Sequence, residues 1–285
     1  MADDSVGGAA KDARIRLLGA GHRDPGARMD AELLARHALG WDRATWLTRA
    51  QLAASPEFLH AYRGLVDRRA RHEPIAYITG TREFYGREFL VSPAVLIPRP
   101  ETEFLVDVVL QRLPVGRPAR VVDACTGSGI VAVTVAAERP GLHLEATDIS
   151  TTALDVARRN ATLHGVGDRV TWLAGDLLLP TAGRFDVITA NPPYVAQRDA
   201  PGLSPQVRDF EPSVALFGGT LGLDLVTRLL AQAAQRLTPE GWLAMEFGDG
   251  QEERVVPAAI AAGFRVIQVV PDLQGIARVL VADLP

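Results

Sequence analysis

The chain has 285 residues, of which 47% are hydrophobic, so it can bury one large core or a large and a small one. Its net charge of −4 at pH 7 argues against nucleic-acid binding through a basic surface. Cys125 is the single cysteine, which excludes an intramolecular disulfide and favours a reducing compartment.

Residues 1–12 contain acids and glycines but no apolar run, so they predict a disordered leader and not a signal peptide. Lys11, the single lysine, lies in this leader, which excludes a Schiff-base lysine and a lysine-bearing phosphate loop. No stretch has the length and apolarity needed to span a bilayer. These features predict a soluble cytoplasmic protein.

Residues 13–80 predict a small helical domain without a catalytic pattern of its own. In "DAELLARHALGW" the apolar side chains follow a helical spacing, with Asp30 as the expected cap. A second helix is expected to begin after Ser55, with Pro56 in its first turn, and to end before residue 74. The arginines of "RRARH", residues 68–72, favour a solvated helix face over the alternative, a contact with an acidic partner or ribosomal RNA.

Residues 81–100 predict a β-hairpin junction, because "REFLV" and "AVLI" on either side of Ser92-Pro93 alternate apolar and polar side chains. Over residues 101–285, strands alternate with helices, which predicts an α/β fold with a doubly wound parallel sheet. The last two apolar runs predict an antiparallel C-terminal edge hairpin. The expected strands are "ARVVDA", "LHLEATD", "VTWLAGD", "FDVITA", "GWLAMEF", "FRVIQVV" and "ARVLVADL".

The turn "DACTGSG" follows the first of these strands and opens a helix. Glycines at 127 and 129 allow a ligand to approach the backbone, and the helix start offers free N–H groups. The glycine spacing is not that of the dinucleotide-binding turn. Taken alone, a tight turn without a ligand remains an alternative.

Three further strands end in polar residues that would meet at the same edge of the sheet. Asp148 ends the second strand and suits the hydroxyls of a ribose. Asp176 and Leu177 end the third, where they would border an adenine, and Asn191 ends the fourth. Open α/β sheets bind ligands at this edge, which favours a site over a series of solvated caps.

Asn191 opens "NPPY", in which two prolines end the strand abruptly and stiffen the chain. One interpretation is a stiff loop capped by the asparagine. The other is a preorganised pocket that holds a planar amide or amine. Glu246 ends a later strand, where it either closes the pocket or caps the following helix.

The glycine turn, the acid at the second strand end, "GD" at the third and "NPPY" at the fourth resemble a class I S-adenosylmethionine-dependent methyltransferase, with its Rossmann-like sheet. "IPRPETE", "FEPSVALFGG" and "DLQGIARVLVA" resemble the peptide-chain-release-factor glutamine methyltransferases, the PrmC/HemK family, over nearly everything past residue 70. The resemblance implies methyl transfer from S-adenosylmethionine to the side-chain amide nitrogen of the glutamine in the Gly-Gly-Gln motif of class I release factors.

The resemblance also implies the roles of individual residues. The Asn191 side-chain oxygen and the Pro192 carbonyl would accept the two substrate N–H groups, Pro193 would stiffen the turn, and Tyr194 would pack against the amide plane. Arg99 and Glu101 would shape the substrate mouth or, as an equal alternative, brace the junction. The expected cofactor-binding residues are Asp123, Cys125, Thr126, Gly127, Ser128, Gly129, Asp148, Ile149, Asp176, Leu177 and Asn191.

Two positions depart from the family pattern: Cys125 replaces the first glycine of the turn, and Ala277 stands where an acid often precedes the arginine. The resemblance implies that the helical domain recognises the release factor and that residues 101–285 bind the methyl donor. We expect a monomer, no membrane contact and no specific nucleic-acid binding. The six histidines lack zinc-type spacing, so no metal is expected.

Two other functions remain as alternatives. A nucleic-acid amino-group methyltransferase, acting on adenine N6 or guanine N2, would use the same "NPPY" residues. A non-catalytic cofactor-binding protein would retain the fold without turnover.

Overall fold

The computed structural model describes residues 3–285, so positions 1 and 2 of the predicted leader lie outside the described residues. The helices are α1 (Val6–Gly19), α2 (Gly26–Leu39), α3 (Arg43–Arg49), α4 (Pro56–Ala70), α5 (Ile75–Thr79), α6 (Glu103–Arg112), α7 (Ile130–Glu138), α8 (Thr151–Leu163), α9 (Pro205–Arg208), α10 (Ser213–Leu216), α11 (Asp224–Arg236) and α12 (Glu252–Ala261). The strands are β1 (Thr81–Phe84), β2 (Arg87–Leu90), β3 (Val121–Ala124), β4 (Leu144–Asp148), β5 (Val170–Ala174), β6 (Phe185–Ala190), β7 (Leu237–Glu246), β8 (Arg265–Pro271) and β9 (Ala277–Asp283). Short 3-10 helices cover Pro100–Thr102 and Gln197–Gly202.

The chain forms two compact units. The first contains the described part of Met1–Gly80 together with Pro205–Phe210, and the second contains Thr81–Ser204 and Glu211–Pro285. Within residues 3–285, no helix combines the length and the apolar character that crossing a bilayer requires.

The first unit is helical, and Leu17, Leu34 and Tyr62 lie in its core. The Tyr62 hydroxyl donates to the carbonyl of Ala31 at 2.8 Å, which satisfies its buried polar end. The helix α4 begins as its sequence predicts, with the Ser55 hydroxyl accepting from the backbone N–H of the residue three positions on.

Three predictions for this unit are wrong in whole or in part. The leader is helical from Val6, because the Ser5 hydroxyl caps α1 and small residues such as Ala10 and Ala13 pack closely into the core without forming an apolar run. Asp30 is not a cap but lies inside α2, where it accepts from Arg69 Nε at 2.7 Å. Arg69, the partner of Asp30, is buried, whereas the sequence of residues 68–72 predicted a solvated helix face.

The junction hairpin lies earlier in the chain than predicted. β1 pairs with β2 in antiparallel register, and the two residues between them, Tyr85 and Gly86, both have positive φ. That geometry suits the right-handed twist of a two-residue hairpin. The predicted strand "AVLI", residues 94–97, is not a strand: its alternating buried residues lie in an irregular segment that belongs to neither sheet.

The second unit is built on a sheet of seven strands in the order β5-β4-β3-β6-β7-β9-β8. The first five are parallel, and β9 runs antiparallel to both β7 and β8. Apolar clusters cover the sheet, one including α7 residues such as Val133 and the other including α11 residues such as Leu229. The predicted fold class, a doubly wound α/β sheet with an antiparallel C-terminal edge, is confirmed.

Candidate active site

A cleft in the second unit opens at the carboxyl ends of the parallel strands. The strand order reverses at β3, which has β4 as its neighbour on one side and β6 on the other. Open α/β sheets bind ligands at such a switch point. The cleft has an empty volume of about 1020 Å³, part of which is open to solvent. Twelve predicted site residues line it: Arg99, Asp123, Cys125, Thr126, Gly127, Ser128, Asp148, Ile149, Asp176, Leu177, Asn191 and Pro193.

Four predicted site residues do not line the cleft. Gly129 lies beneath the turn, where an added Cβ would come within 3.0 Å of the Ala157 Cβ. Pro192 is buried, and the Tyr194 hydroxyl donates to Glu246 Oε1 at 3.2 Å. Glu101 is absent from the lining as well. The structure therefore brings Asn191 and Pro193 together with the glycine turn in the lining of the cleft, while these four lie outside that lining.

The turn after β3 is held by two acids. Asp148 Oδ2 accepts from the N–H of Gly127 at 2.9 Å, and Oδ1 accepts from the N–H of Ser150 at 2.9 Å. Burial raises the pKa of Asp148, and these backbone hydrogen bonds oppose that rise. Gly127 has φ 56°, and an added Cβ there would meet no protein atom within 4 Å.

Asp123 fixes the other side of this turn from inside. Its Oδ2 accepts from the Thr126 hydroxyl at 2.6 Å, and its Oδ1 accepts from the Thr189 hydroxyl at 2.8 Å. Burial raises the pKa of Asp123 to about 6, while the two hydroxyls lower it. Asp123 therefore connects the turn to β6, next to the strand end that carries Asn191.

Cys125 adopts φ 58° in the turn, and burial raises the pKa of its thiol. The thiol is thus kept neutral, which makes it a small apolar filler and not a nucleophile. Further along the edge, Asp176 forms an ion pair with Arg228, and the buried Leu177 has φ 52°. Ile149, which is 61% exposed, gives the same edge an apolar surface.

The Asn191 carboxamide has a defined orientation. Its Nδ2 donates to Thr102 Oγ1 at 3.1 Å, which leaves Oδ1 as the acceptor of that group. Behind it, the Tyr194 carbonyl accepts from Gln251 Nε2 at 2.8 Å. Burial raises the pKa of the Tyr194 hydroxyl, and the adjacent Glu246 carboxyl raises it further.

An ion pair holds Arg99, which lines the cleft. Arg99 Nη2 donates to Glu211 Oε1 at 2.6 Å, and Glu211 Oε2 accepts from the N–H of Ile97 at 3.2 Å. The Glu211 side chain is 1% exposed. Glu211 and Thr102 are absent from the predicted site; the signal that could have found Glu211 is an acid between an aromatic and a proline in "FEPS".

The departure at Ala277 is compensated nearby. Arg278 Nε donates to Asp272 Oδ2 at 2.9 Å, so an acid on the preceding turn holds the arginine. Among residues 3–285, no group of three or more His, Cys, Asp or Glu side chains is arranged to hold a metal ion.

Sequence comparison identifies relatives of nearly full length. The chain is 43% identical over 263 residues to a release factor glutamine methyltransferase from Koribacter versatilis, covering 92% of each chain. It is 42% identical over 255 residues to one from Geobacter sulfurreducens, covering 89% of this chain and 88% of the relative. The chain belongs to the release factor glutamine methyltransferase family. The family recognised from the sequence motifs is thereby confirmed.

Domain comparisons agree with this family of glutamine methyltransferases. Residues 9–80 match the PrmC N-terminal domain, and residues 101–203 match the methyltransferase small domain. A crystal structure of a methyltransferase from Pyrococcus furiosus superposes with a TM-score of 0.54 at 19% identity, covering 76% of this chain and 97% of that one. At that identity the superposition supports the fold.

Proposed function

We infer that this protein is an enzyme that transfers a methyl group from S-adenosylmethionine to the side-chain amide nitrogen of a glutamine in a release factor. The observation that carries this inference is the 43% identity to a release factor glutamine methyltransferase over 92% of the chain. It is supported by the cleft, where Asn191 and Pro193 lie with the glycine turn.

The residues of the cleft fit S-adenosylmethionine. Gly127 leaves free space where a side chain would otherwise project, and the acid Asp148 stands at the end of the neighbouring strand, where it suits ribose hydroxyls. Ile149 and Leu177 offer apolar surface for an adenine. When bound, the cofactor supplies an electrophilic methyl group. We propose that Asp123 acts indirectly, by holding Thr126 and the turn in place.

The substrate end of the cleft needs acceptors, because a glutamine amide nitrogen is a poor nucleophile whose lone pair is delocalised. We propose that Asn191 Oδ1, on a residue that lines the cleft, and the backbone carbonyl of the adjacent, buried Pro192 each accept one substrate N–H. Holding both protons leaves the nitrogen lone pair free on the cleft side, and such positioning is worth roughly 7–11 kcal/mol in favourable systems. No base is required before transfer, since the extra proton becomes acidic only afterwards.

Finer features of the function are proposals of the same kind. The substrate glutamine would be that of the Gly-Gly-Gln motif in class I release factors, and the helical unit would recognise the factor away from the reacting loop. Arg99 and Glu101 would then shape the mouth of the cleft and its supporting wall. We propose that the enzyme works as a monomer in the cytoplasm, where translation ends.

The test is direct. A purified class I release factor incubated with this protein and S-adenosylmethionine should gain one methyl group on the glutamine of its Gly-Gly-Gln motif, detected by peptide mass spectrometry. Absence of that product, with the cofactor shown to bind, would refute the function. RNA and DNA supplied in parallel, over a range of salt, test the amino-group alternative, which the net charge of −4 does not favour.

A further inference from the structure

Buried polar side chains connect Asn191 with the end of β7. Thr102, which is 1% exposed, accepts from Asn191 Nδ2 at 3.1 Å. Glu246, also 1% exposed, accepts from the Tyr194 hydroxyl at 3.2 Å through Oε1. Its Oε2 is buried and has no hydrogen-bond partner within residues 3–285. An unpartnered buried carboxylate oxygen is costly, so a donor in reach should serve it.

The Thr102 hydroxyl can supply such a donor. A threonine hydroxyl carries one proton, and because Thr102 Oγ1 already accepts from Asn191, its proton is available for another group. This hydroxyl lies near enough to Glu246 to lower the pKa of the carboxyl. In that arrangement each group donates a hydrogen bond to the next: Asn191 donates to Thr102, and Thr102 would donate to Glu246.

We propose that Glu246 is a positioning residue that acts through Thr102 to determine which end of the Asn191 carboxamide faces the cleft. The oxygen and nitrogen of a carboxamide have nearly the same size, so packing alone does not distinguish them. If Thr102 donated to Asn191, the amide would turn and present two N–H donors to the substrate NH2. This inference rests on the proposed function, because only an NH2 substrate needs an acceptor there.

The charge of Glu246 controls the direction of these bonds. Burial raises the pKa of Glu246 to about 7, and Glu101 also raises it, while Thr102, Tyr194 and Arg278 lower it. Above that pH the carboxylate only accepts, so Thr102 must donate to it. Below that pH the carboxyl can donate to Thr102, whose proton is then free to turn toward Asn191. We expect kcat to fall as the pH is lowered through about 7.

The test uses two substitutions of Thr102 and one control. Thr102→Val keeps the shape but removes the hydroxyl, and it should lower kcat about 10–100-fold while the Kd for S-adenosylmethionine changes less than about threefold. Thr102→Ser keeps the hydroxyl and should restore most of kcat. Thr134→Val is the matched control, because the buried Thr134 hydroxyl in α7 has no partner within residues 3–285. It should leave kcat and Kd unchanged.

A second readout does not need turnover. In 15N-labelled protein the Asn191 side-chain amide signal, identified by its loss in Asn191→Asp, should be protected from hydrogen exchange. Protection should be lost in Thr102→Val, and the pH response of the signal near 7 should disappear in Glu246→Gln.

These outcomes separate the two proposals. Wild-type protein that never methylates a release factor refutes the function, while the amide signal still tests the orientation. Wild-type kcat in Thr102→Val, or an amide signal that this change leaves untouched, overturns the positioning role. Equal losses of kcat and cofactor affinity in Thr102→Val and Thr134→Val would assign the effect to packing and overturn it too.

Discussion

The two glycines of the β3–α7 turn should respond differently to one added methyl group. Both have a left-handed backbone, with φ 56° at Gly127 and 81° at Gly129. At Gly129 the new Cβ would lie 3.0 Å from Ala157 Cβ and 3.2 Å from Trp172 Cη2. At Gly127 it would meet no protein atom within 4 Å and would occupy space in the cleft.

The expected magnitudes follow from these contacts. Alanine in a left-handed conformation costs roughly 1–2 kcal/mol at either position. Crowding of Gly129→Ala against α8 and β5 adds about 1–3 kcal/mol, because Ala157 is fully buried and the partly buried Trp172 packs against the core. We therefore expect the free energy of unfolding to fall by about 2–5 kcal/mol in Gly129→Ala and by about 1–2 kcal/mol in Gly127→Ala.

The assay pairs urea unfolding with calorimetric binding of S-adenosylmethionine. At unchanged m values, the midpoint shift reports stability. Gly127→Ala should weaken cofactor binding about tenfold or more, a cost of about 1.4 kcal/mol, whereas folded Gly129→Ala should bind nearly as well as wild type. Equal stability losses, or an affinity loss found only in Gly129→Ala, would refute the placement of Gly127 in the cleft and Gly129 beneath it.

Three other changes test the site. Asn191→Ala should lower turnover about 100-fold or more with cofactor affinity nearly intact, and full glutamine methylation by mass spectrometry would contradict its role. Burial raises the pKa of Glu246 from 4.5 to about 7, so its contribution to stability is complete below pH 4.5 and is lost as the pH rises through about 7. Urea unfolding near pH 5 and near pH 8 should show a loss of up to about 3 kcal/mol, which Glu246→Gln removes; an unchanged pH dependence would contradict this. Glu211→Gln should lower the free energy of unfolding by about 1–3 kcal/mol because Arg99 loses its charged partner, whereas the exposed Glu240→Gln should be neutral.

The sheet and its ligand-binding edge were predictable because they depend on short-range patterns. Short apolar runs that alternate with helices predict parallel strands. Parallel strands bring their carboxyl ends, which here carry polar residues, to one edge of the sheet. That rule placed Asp148 and Asn191 near the glycine turn without any knowledge of long-range contacts. The resemblance to the family also assigns Gly129 and Tyr194 to the site, because a motif gives the order of residues but not which of them face the cleft.

The remaining features depend on contacts between distant segments. The ion pair of Arg99 with Glu211 and the hydrogen bond of Asn191 with Thr102 join residues whose own neighbours give no sign of the partner. The helical start of α1 also has a physical reason. Small residues pack a helix as closely as large ones, but they produce no apolar run in the sequence.

The rigidity of the Asn-Pro turn has two sources, and prolines supply only one. They restrict the backbone, but they do not determine how the segment is rotated about the end of β6. Gln251 does this by donating to the Tyr194 carbonyl while its own oxygen accepts from the N–H of Gly248 at 2.9 Å. Tyr194 is held a second time by Glu246.

Both of these anchors belong to the end of β7 or the segment after it, next to β6 in the sheet. Near-attack positioning is lost when reacting groups move by about 1 Å, so loosening the end of β7 should reduce turnover without any contact to the substrate. The acceptors for the glutamine amide are thus carried by one strand end and held in place by its neighbour.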